Sequence, residues 1–241
     1  SYDLVSKRIR EIENMPMNWR DEDIAMALYF EVDVGREFMD EVYGEERISM
    51  AHIKYDGLDG YGWSFSKDTV LNVGIGCPRN IIKKLKSEKK GWSERKYLID
   101  YVETLKDQGW FPKDIEIDRK MISGANIPVG MGMSCTVGDR MMVVGDAGGF
   151  VSPLSGEGLY YALDSGRLAA ESLDVLFSEG NFKKQDLMHY HRAWSSKWGD
   201  DLEWLKVGWH LLMVMPNSLI KYAALDEETK EFFTHMFVGS M

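Results

Sequence analysis

One stretch, VVGDAGGFVSPLSGEGLYYALDSGRLAAESL from Val143 to Leu173, constrains this chain more than any other. The apolar run Met141, Met142, Val143 and Val144 lacks polar alternation, which predicts a buried strand of the parallel-sheet kind. It breaks at Gly145 and Asp146. Further on, Leu159, Ala162, Leu163, Gly166, Ala169, Ala170 and Leu173 recur near the helical period, with Ala162, Gly166 and Ala170 as a smooth stripe for close packing. Open α/β folds bind ligands outside the carboxyl ends of their strands, so Asp146 is placed to accept hydrogen bonds from a sugar or polyol hydroxyl. Gly148, Gly149, Gly156 and Gly158 lack a Cβ and let backbone approach a flat or anionic group. The unpaired amides of a helix start, with the macrodipole behind them, suit an electron-rich ligand edge. By spacing alone the segment is equally the plain strand, turn and helix of any α/β protein.

Composition removes several function classes. The 241 residues, 44% of them apolar, suffice for one large domain or two small ones with a proper core. A net charge of −10, from 39 acidic and 29 basic residues, argues against a nucleic-acid partner, whose phosphates need clustered Lys and Arg. Cys77 and Cys135 stand far apart without a CxxC pair, and the five histidines have no ligand spacing, so neither a disulfide framework nor a metal site is expected. The longest apolar helical stretch, Trp204 to Met215, is too short to span a bilayer and carries Lys206 and His210. With a polar, charged start and no signal-peptide pattern, the expectation is a cytoplasmic protein, with peripheral membrane contact left open.

The first third reads as sheet. Ala27 to Val34, Arg47 to Tyr55, Tyr61 to Phe65 and Val70 to Ile75 are strand-like runs separated by Asp-Gly and Gly-x-Gly punctuation, which suggests an antiparallel meander with one buried face. Tyr61, Trp63 and Phe65 alternate onto one side and make an apolar wall, which is equally what an ordinary sheet core looks like. Ser93 to Gln108 predicts a helix capped by Ser93 and stopped by Gly109. Ile115 to Ile117 predicts a short strand, and the chain after about Asn181 is nearly all helical pattern, broken at Gly199, Gly208 and Pro216.

Two motifs in order then carry a resemblance. GDAGGFVSPLSGEG, Gly145 to Gly158, continuing through Tyr160, Tyr161, Ala162, Ser165 and Gly166, resembles the second flavin motif of the para-hydroxybenzoate hydroxylase-like flavoproteins, and most specifically that of the geranylgeranyl reductase family. Tyr61-Gly62-Trp63-Ser64-Phe65-Ser66 followed by Gly74-Ile75-Gly76 is similar to the YxWxFP and GxG pair of the same family, with Ser66 in place of proline; Gly148 likewise replaces an alanine. The resemblance implies a mixed α+β and α/β fold: part of an FAD-binding Rossmann-like domain, an antiparallel-sheet substrate domain and C-terminal helices. It divides the chain into 1–22 as a remnant of the FAD-binding half, 23–120 as the substrate domain, 121–178 as the second part of the FAD domain and 179–241 as the helical end.

It also implies an FAD-dependent reductase that saturates C=C bonds of geranylgeranyl chains in lipids. Its cofactor residues would be Gly145, Asp146, Ala147, Pro153, Gly156, Glu157 and Gly158, and its substrate residues Tyr61, Trp63, Phe65, Gly74 and Gly76. Partners would be an isoprenoid lipid and an electron donor, reduced ferredoxin or NAD(P)H. Glu157 sits where a capping carboxylate outranks an acid catalyst, and no proton donor is named. The fold's GxGxxG turn is missing, Gly130 to Cys135 being its nearest text and reading as loop, so the chain is expected to begin mid-protein. Trp194, Trp198, Trp204 and Trp209 suggest either a lid over an isoprenoid tail or a plain helical core. A flavin monooxygenase, an electron-transfer-flavoprotein dehydrogenase relative and a non-catalytic lipid- or partner-binding module are the alternatives.

Overall fold

The computed structural model describes residues 19–130, 135–180 and 182–231, and the chain divides into two compact units, Ala25–Ala125 and Ser1–Ile24 with Asn126–Met241. The expected loop at Gly130 to Cys135 and most of the 1–22 remnant lie outside the described residues.

The first unit is a sheet with helices on one face. Strands β1 (Ile24–Asp33), β2 (Met50–Ile53), β3 (Tyr61–Ser66), β4 (Val70–Pro78) and β5 (Ser123–Pro128) stand in the order β2-β3-β4-β1-β5. The β2/β3, β3/β4 and β4/β1 pairs are antiparallel. Helix α1 (Arg36–Tyr43) joins β1 to β2, and α2 (Arg79–Glu88) and α3 (Glu94–Asp107) follow β4. Ser93 caps α3 as its sequence predicts, its Oγ accepting from the Lys96 amide at 3.3 Å. Alternation sends Leu28, Phe30, Val73 and Ile75 to the core, where Met39, Leu98, Tyr101 and Leu105 meet them.

Two strand expectations change here. The run from Arg47 to Tyr55 shrinks to Met50–Ile53, because Arg47 and Lys54 take left-handed conformations (φ 57° and 55°) that end the ladder on both sides. Ile115 to Ile117 forms no strand. Its two isoleucines pack onto the core from an irregular segment, so their alternation reflects burial without pairing.

In the second unit a short hairpin of β6 (Val137–Gly138) and β7 (Met141–Met142) leads through a 3-10 turn at Gly145–Gly148 to the long helix α4 (Leu159–Glu179). Gly180 (φ 71°) ends it. Helices α5 (Lys184–Trp194), α6 (Asp200–Val214) and α7 (Pro216–Ala223) follow, with a π-turn at Ser195–Gly199 joining α5 to α6. Pro216 opens α7, whereas Gly208 lies inside α6 without breaking it. The buried parallel strand expected at Met141–Val144 is instead a two-residue antiparallel strand, and Val144 is exposed. A four-residue apolar run does not say which strand it pairs with. Helix α4 also turns a different face inward: Tyr161, Asp164, Ser165, Leu168, Ser172 and Leu176 are buried, while Leu159 and Leu163 are 72% and 67% exposed. Of the small-residue stripe only Ala162 makes a close approach, to Gly145; Gly166 has open space around it and Ala170 is exposed.

Candidate functional site

The first candidate region is the turn between β7 and α4. Gly145, Gly149 and Gly156 hold φ values of 57°, 75° and 75°, a backbone that only glycine adopts without strain. The turn is tied from within: Gly149 N donates to Asp146 O (2.9 Å), Ser152 N to Glu157 O (2.8 Å) and Gly156 N to Ser152 O (2.9 Å). Ser165 of α4 reaches back, its Oγ accepting from Gly145 N at 3.0 Å. An added Cβ at Gly158 would lie 3.1 Å from Val151 Cγ2 and 3.3 Å from Asp146 Oδ1, so the helix start presses against the Asp146 carboxylate. Pro153 packs beside Gly130, where an added Cβ would lie 3.6 Å from its own Cβ.

Glu157 caps the helix, the role its position favours. Its Oε1 accepts from the Tyr160 amide at the start of α4 at 2.9 Å. Its Oε2 is buried without a hydrogen-bond partner. The indole Nε1 of Trp19 is a second buried polar atom in that state, and its ring lies on Gly149, where an added Cβ would stand 2.2 Å from Trp19 Cη2. Native proteins pair nearly all such atoms, with protein, ordered water or a ligand. No sequence signal ties Trp19 to this turn, because the contact is tertiary.

The aromatic residues of α5 and the π-turn support the turn from below. Phe150 packs against Trp194 (4.9 Å between centroids) and Trp198 (4.8 Å), and Trp198 against Tyr161 (5.2 Å). Trp194 and Trp198 are each 3% exposed and belong to the core, whereas Trp204 is 73% exposed. Trp198 also donates to Asp164 Oδ2 at 2.9 Å, and Lys197 and Arg167 complete the carboxylate's shell at 2.9 and 2.8 Å. Burial alone would raise the Asp164 carboxyl, but these donors hold it below the ordinary range. Burial, then Glu157, pushes the Tyr161 phenol up to about 12, so it stays neutral.

The second candidate region is the face of the sheet opposite the core, in the other unit. Registers Trp63↔Gly74↔Tyr29, Tyr61↔Gly76↔Ala27 and Phe65↔Asn72↔Glu31 set these residues in three rows on one side. All five residues expected at a substrate site, Tyr61, Trp63, Phe65, Gly74 and Gly76, lie on it. The glycines have a local cause: a Cβ at Gly74 would fall 2.2 Å from Trp63 Cζ2, and one at Gly76 3.3 Å from Cζ3, so the indole lies flat on β4. Phe65 stacks on Trp63 at 5.8 Å and 23°, and Tyr61 packs beside it at 5.6 Å. Trp63 is only 8% exposed and Phe65 41%, so Phe65 offers the accessible surface and Trp63 backs it. Burial pushes the Tyr61 phenol up to about 12. Ser66, where the similar motif has proline, donates to the carbonyls of Arg47 and Ile48 and ties down the strand end.

Among the described residues no cluster of His, Cys, Asp or Glu could hold a metal, and no helix is long and apolar enough to cross a membrane.

No family model matches the chain. It is 34% identical over 176 residues to a digeranylgeranylglycerophospholipid reductase of Methanococcus aeolicus, 71% of this chain and 41% of that protein. It is 37% identical over 147 residues to the enzyme of that name from Methanoculleus marisnigri (60% and 33%) and 32% identical over 145 residues to a menaquinone reductase of Mycobacterium tuberculosis (58% and 33%). The chain therefore spans less than half the length of these relatives. In fold it is similar to a geranylgeranyl bacteriochlorophyll reductase-like protein of Thermoplasma acidophilum (TM-score 0.67, 20% identity, 82% of this chain and 45% of that one). A flavin-dependent brominase shares the fold as well (TM-score 0.66, 15% identity, 100% and 56%). In sequence the chain is similar to digeranylgeranylglycerophospholipid reductases, and in fold to a geranylgeranyl bacteriochlorophyll reductase-like protein, each over part of their length.

Proposed function

We propose that this chain is part of an FAD-dependent reductase that saturates C=C bonds in the geranylgeranyl chains of lipids. The observation that carries the reading is the glycine turn at Gly145–Gly158 leading into α4, with Glu157 at the helix start holding a buried Oε2 that has no hydrogen-bond partner. A buried carboxylate acceptor at a helix start fits a flavin, which brings an imide N–H beside electron-rich ring carbonyls. When bound, FAD supplies the hydride for alkene reduction, and the protein supplies position, dryness and electrostatics.

The residues divide that work. The amides of Gly156 and Glu157 are taken within the turn, so Gly158 and Leu159, where the α4 dipole favours negative charge, would hold an electron-rich ring edge. Asp146 would accept from hydroxyls of the ribityl chain and Glu157 Oε2 from a ring N–H. Ala147 and Pro153 shape the turn. Tyr61 and Phe65, backed by Trp63, give the isoprenoid chain an apolar surface that excludes water. Electrons come from reduced ferredoxin or NAD(P)H, and the lipid is taken from a membrane surface by peripheral contact.

The test is the full gene product, purified, reduced with dithionite and given digeranylgeranyl glycerophospholipid. Yellow protein and a mass gain of two hydrogens per double bond are expected. Colourless protein that takes up no added FAD, or NAD(P)H oxidation coupled to oxygen with the lipid unchanged, refutes the proposal. Glu157→Gln sharpens it. The glutamine oxygen keeps the cap and its amide replaces the free acceptor with a donor, so FAD affinity falls about tenfold or more while stability changes by less than about 0.5 kcal/mol.

A further inference from the structure

We propose that Asn72 and Glu31 are positioning residues that fix the Trp63 ring and, through it, the Phe65 surface that sorts isoprenoid chains by length. The proposal rests on the sheet face being the substrate wall.

A nearly buried indole must place its N–H, and Trp63 Nε1 donates to Asn72 Oδ1 at 2.8 Å. The chemistry fixes which way the amide points. The indole can only donate, so Asn72 turns its oxygen to Trp63 and its Nδ2 to Glu31 Oε1, 3.0 Å away. Lys67 anchors the same Glu31 oxygen from the other side. The ring is thus held twice, flat against Gly74 and Gly76 by contact and at its nitrogen edge by the relay Trp63, Asn72, Glu31 and Lys67. Rotation about χ2 would break the hydrogen bond and drive the benzo edge into Gly74.

Stability gives little reason for this arrangement, because Glu31 and Lys67 are 44% and 57% exposed and surface ion pairs contribute about 0–1 kcal/mol. Orientation gives a better one. Phe65 has no polar group to fix its ring, and the 23° stack on Trp63 is what sets its tilt. Register places Phe65, Asn72 and Glu31 in one cross-strand row, so the relay ends beside the ring it steers. A wall whose outer ring is held still discriminates chain length by contact area, whereas a loose ring adapts to either length.

The protein is labelled with 5-fluorotryptophan and the Trp63 fluorine signal is assigned with Trp63→Phe. Asn72→Leu and the near-isosteric Asn72→Asp are expected to shift or broaden that signal. Glu31→Gln keeps an acceptor for Asn72 and is expected to restore most of it relative to Glu31→Ala. In the FAD-loaded full gene product, Asn72→Leu is expected to lower the kcat/KM preference for geranylgeranyl over farnesyl lipids about tenfold, through KM, with kcat within about twofold. An unmoved fluorine signal in both Asn72 variants overturns the relay. A moved signal with unchanged length preference overturns its role in selection. Wild-type protein that reduces no isoprenoid overturns the wall itself, while the fluorine arm still decides the relay.

Discussion

The two candidate regions treat their polar atoms in opposite ways. At the glycine turn, Glu157 Oε2 is buried and unpaired, at a cost of about 1–3 kcal/mol. On the sheet face the chain Trp63, Asn72, Glu31 and Lys67 satisfies itself end to end. An unpaired buried group can be completed by water or a polar ligand. A region with its polar groups closed off offers shape and apolar area. The contrast matches what a flavin reductase of isoprenoids asks of its parts: hydrogen-bond recognition for the cofactor, dry contact for the chain.

Glycine substitutions test that contrast most severely. In Gly74→Ala the new methyl meets the Trp63 ring at 2.2 Å and the Leu28 carbonyl at 2.7 Å, and the carbonyl belongs to the β1/β4 ladder and cannot swing aside. We expect a loss of about 2–4 kcal/mol in urea denaturation. In Gly149→Ala every close atom belongs to the far end of the Trp19 ring, which can move, leaving mainly the left-handed backbone penalty of about 1–2 kcal/mol. FAD affinity should fall in Gly149→Ala, because Trp19 leaves the turn, and hold in Gly74→Ala protein that remains folded. A reversed order of stability losses would break the picture of a rigid wall and an adjustable turn.

Much of this was legible in the sequence where local rules decide. Alternation along Tyr61, Trp63 and Phe65 sets them on one face, and the same rule extended to β4 puts Asn72 on that face with Gly74 and Gly76. Ser93 caps its helix by the ordinary side-chain rule. What failed depended on tertiary partners. Periodicity marks a stripe on α4 but not which side faces in, and the buried side carries Asp164 and Ser165, held by bonds to residues distant in sequence. The four tryptophans divide between core and surface for the same reason: Trp194 and Trp198 are aligned by the π-turn, which no periodicity announces.

Asp164 separates the regions by pH. Its folded pKa lies below the unfolded value of about 3.9, so the unfolded chain binds more protons as acid is added. Its contribution is therefore fully present above about pH 4 and lost as pH falls through the folded value. Asp164→Asn should cost about 1–3 kcal/mol at neutral pH, with the gap to wild type closing below about pH 4. A gap that persists undiminished in acid would mean that packing against Trp198, not charge, carries the effect.

The smallest effect is expected at Ser66. Its hydroxyl reaches the carbonyls of Arg47 (2.6 Å) and Ile48 (2.9 Å), and Arg47 holds a left-handed backbone. Ser66→Ala should cost about 0.5–1.5 kcal/mol, since one hydroxyl proton serves both carbonyls and water replaces it at the half-buried edge. The loss should appear in hydrogen exchange at the Arg47–Met50 amides and leave FAD affinity within about twofold, because Ser66 belongs to the unit without the turn. Faster exchange confined to that edge would show that a serine can do the work of the motif's proline by tying the strand end through its side chain. Exchange that also quickens at Trp63 would show instead that the strand end and the indole relay are one mechanical element, and that the wall is only as stiff as its edge.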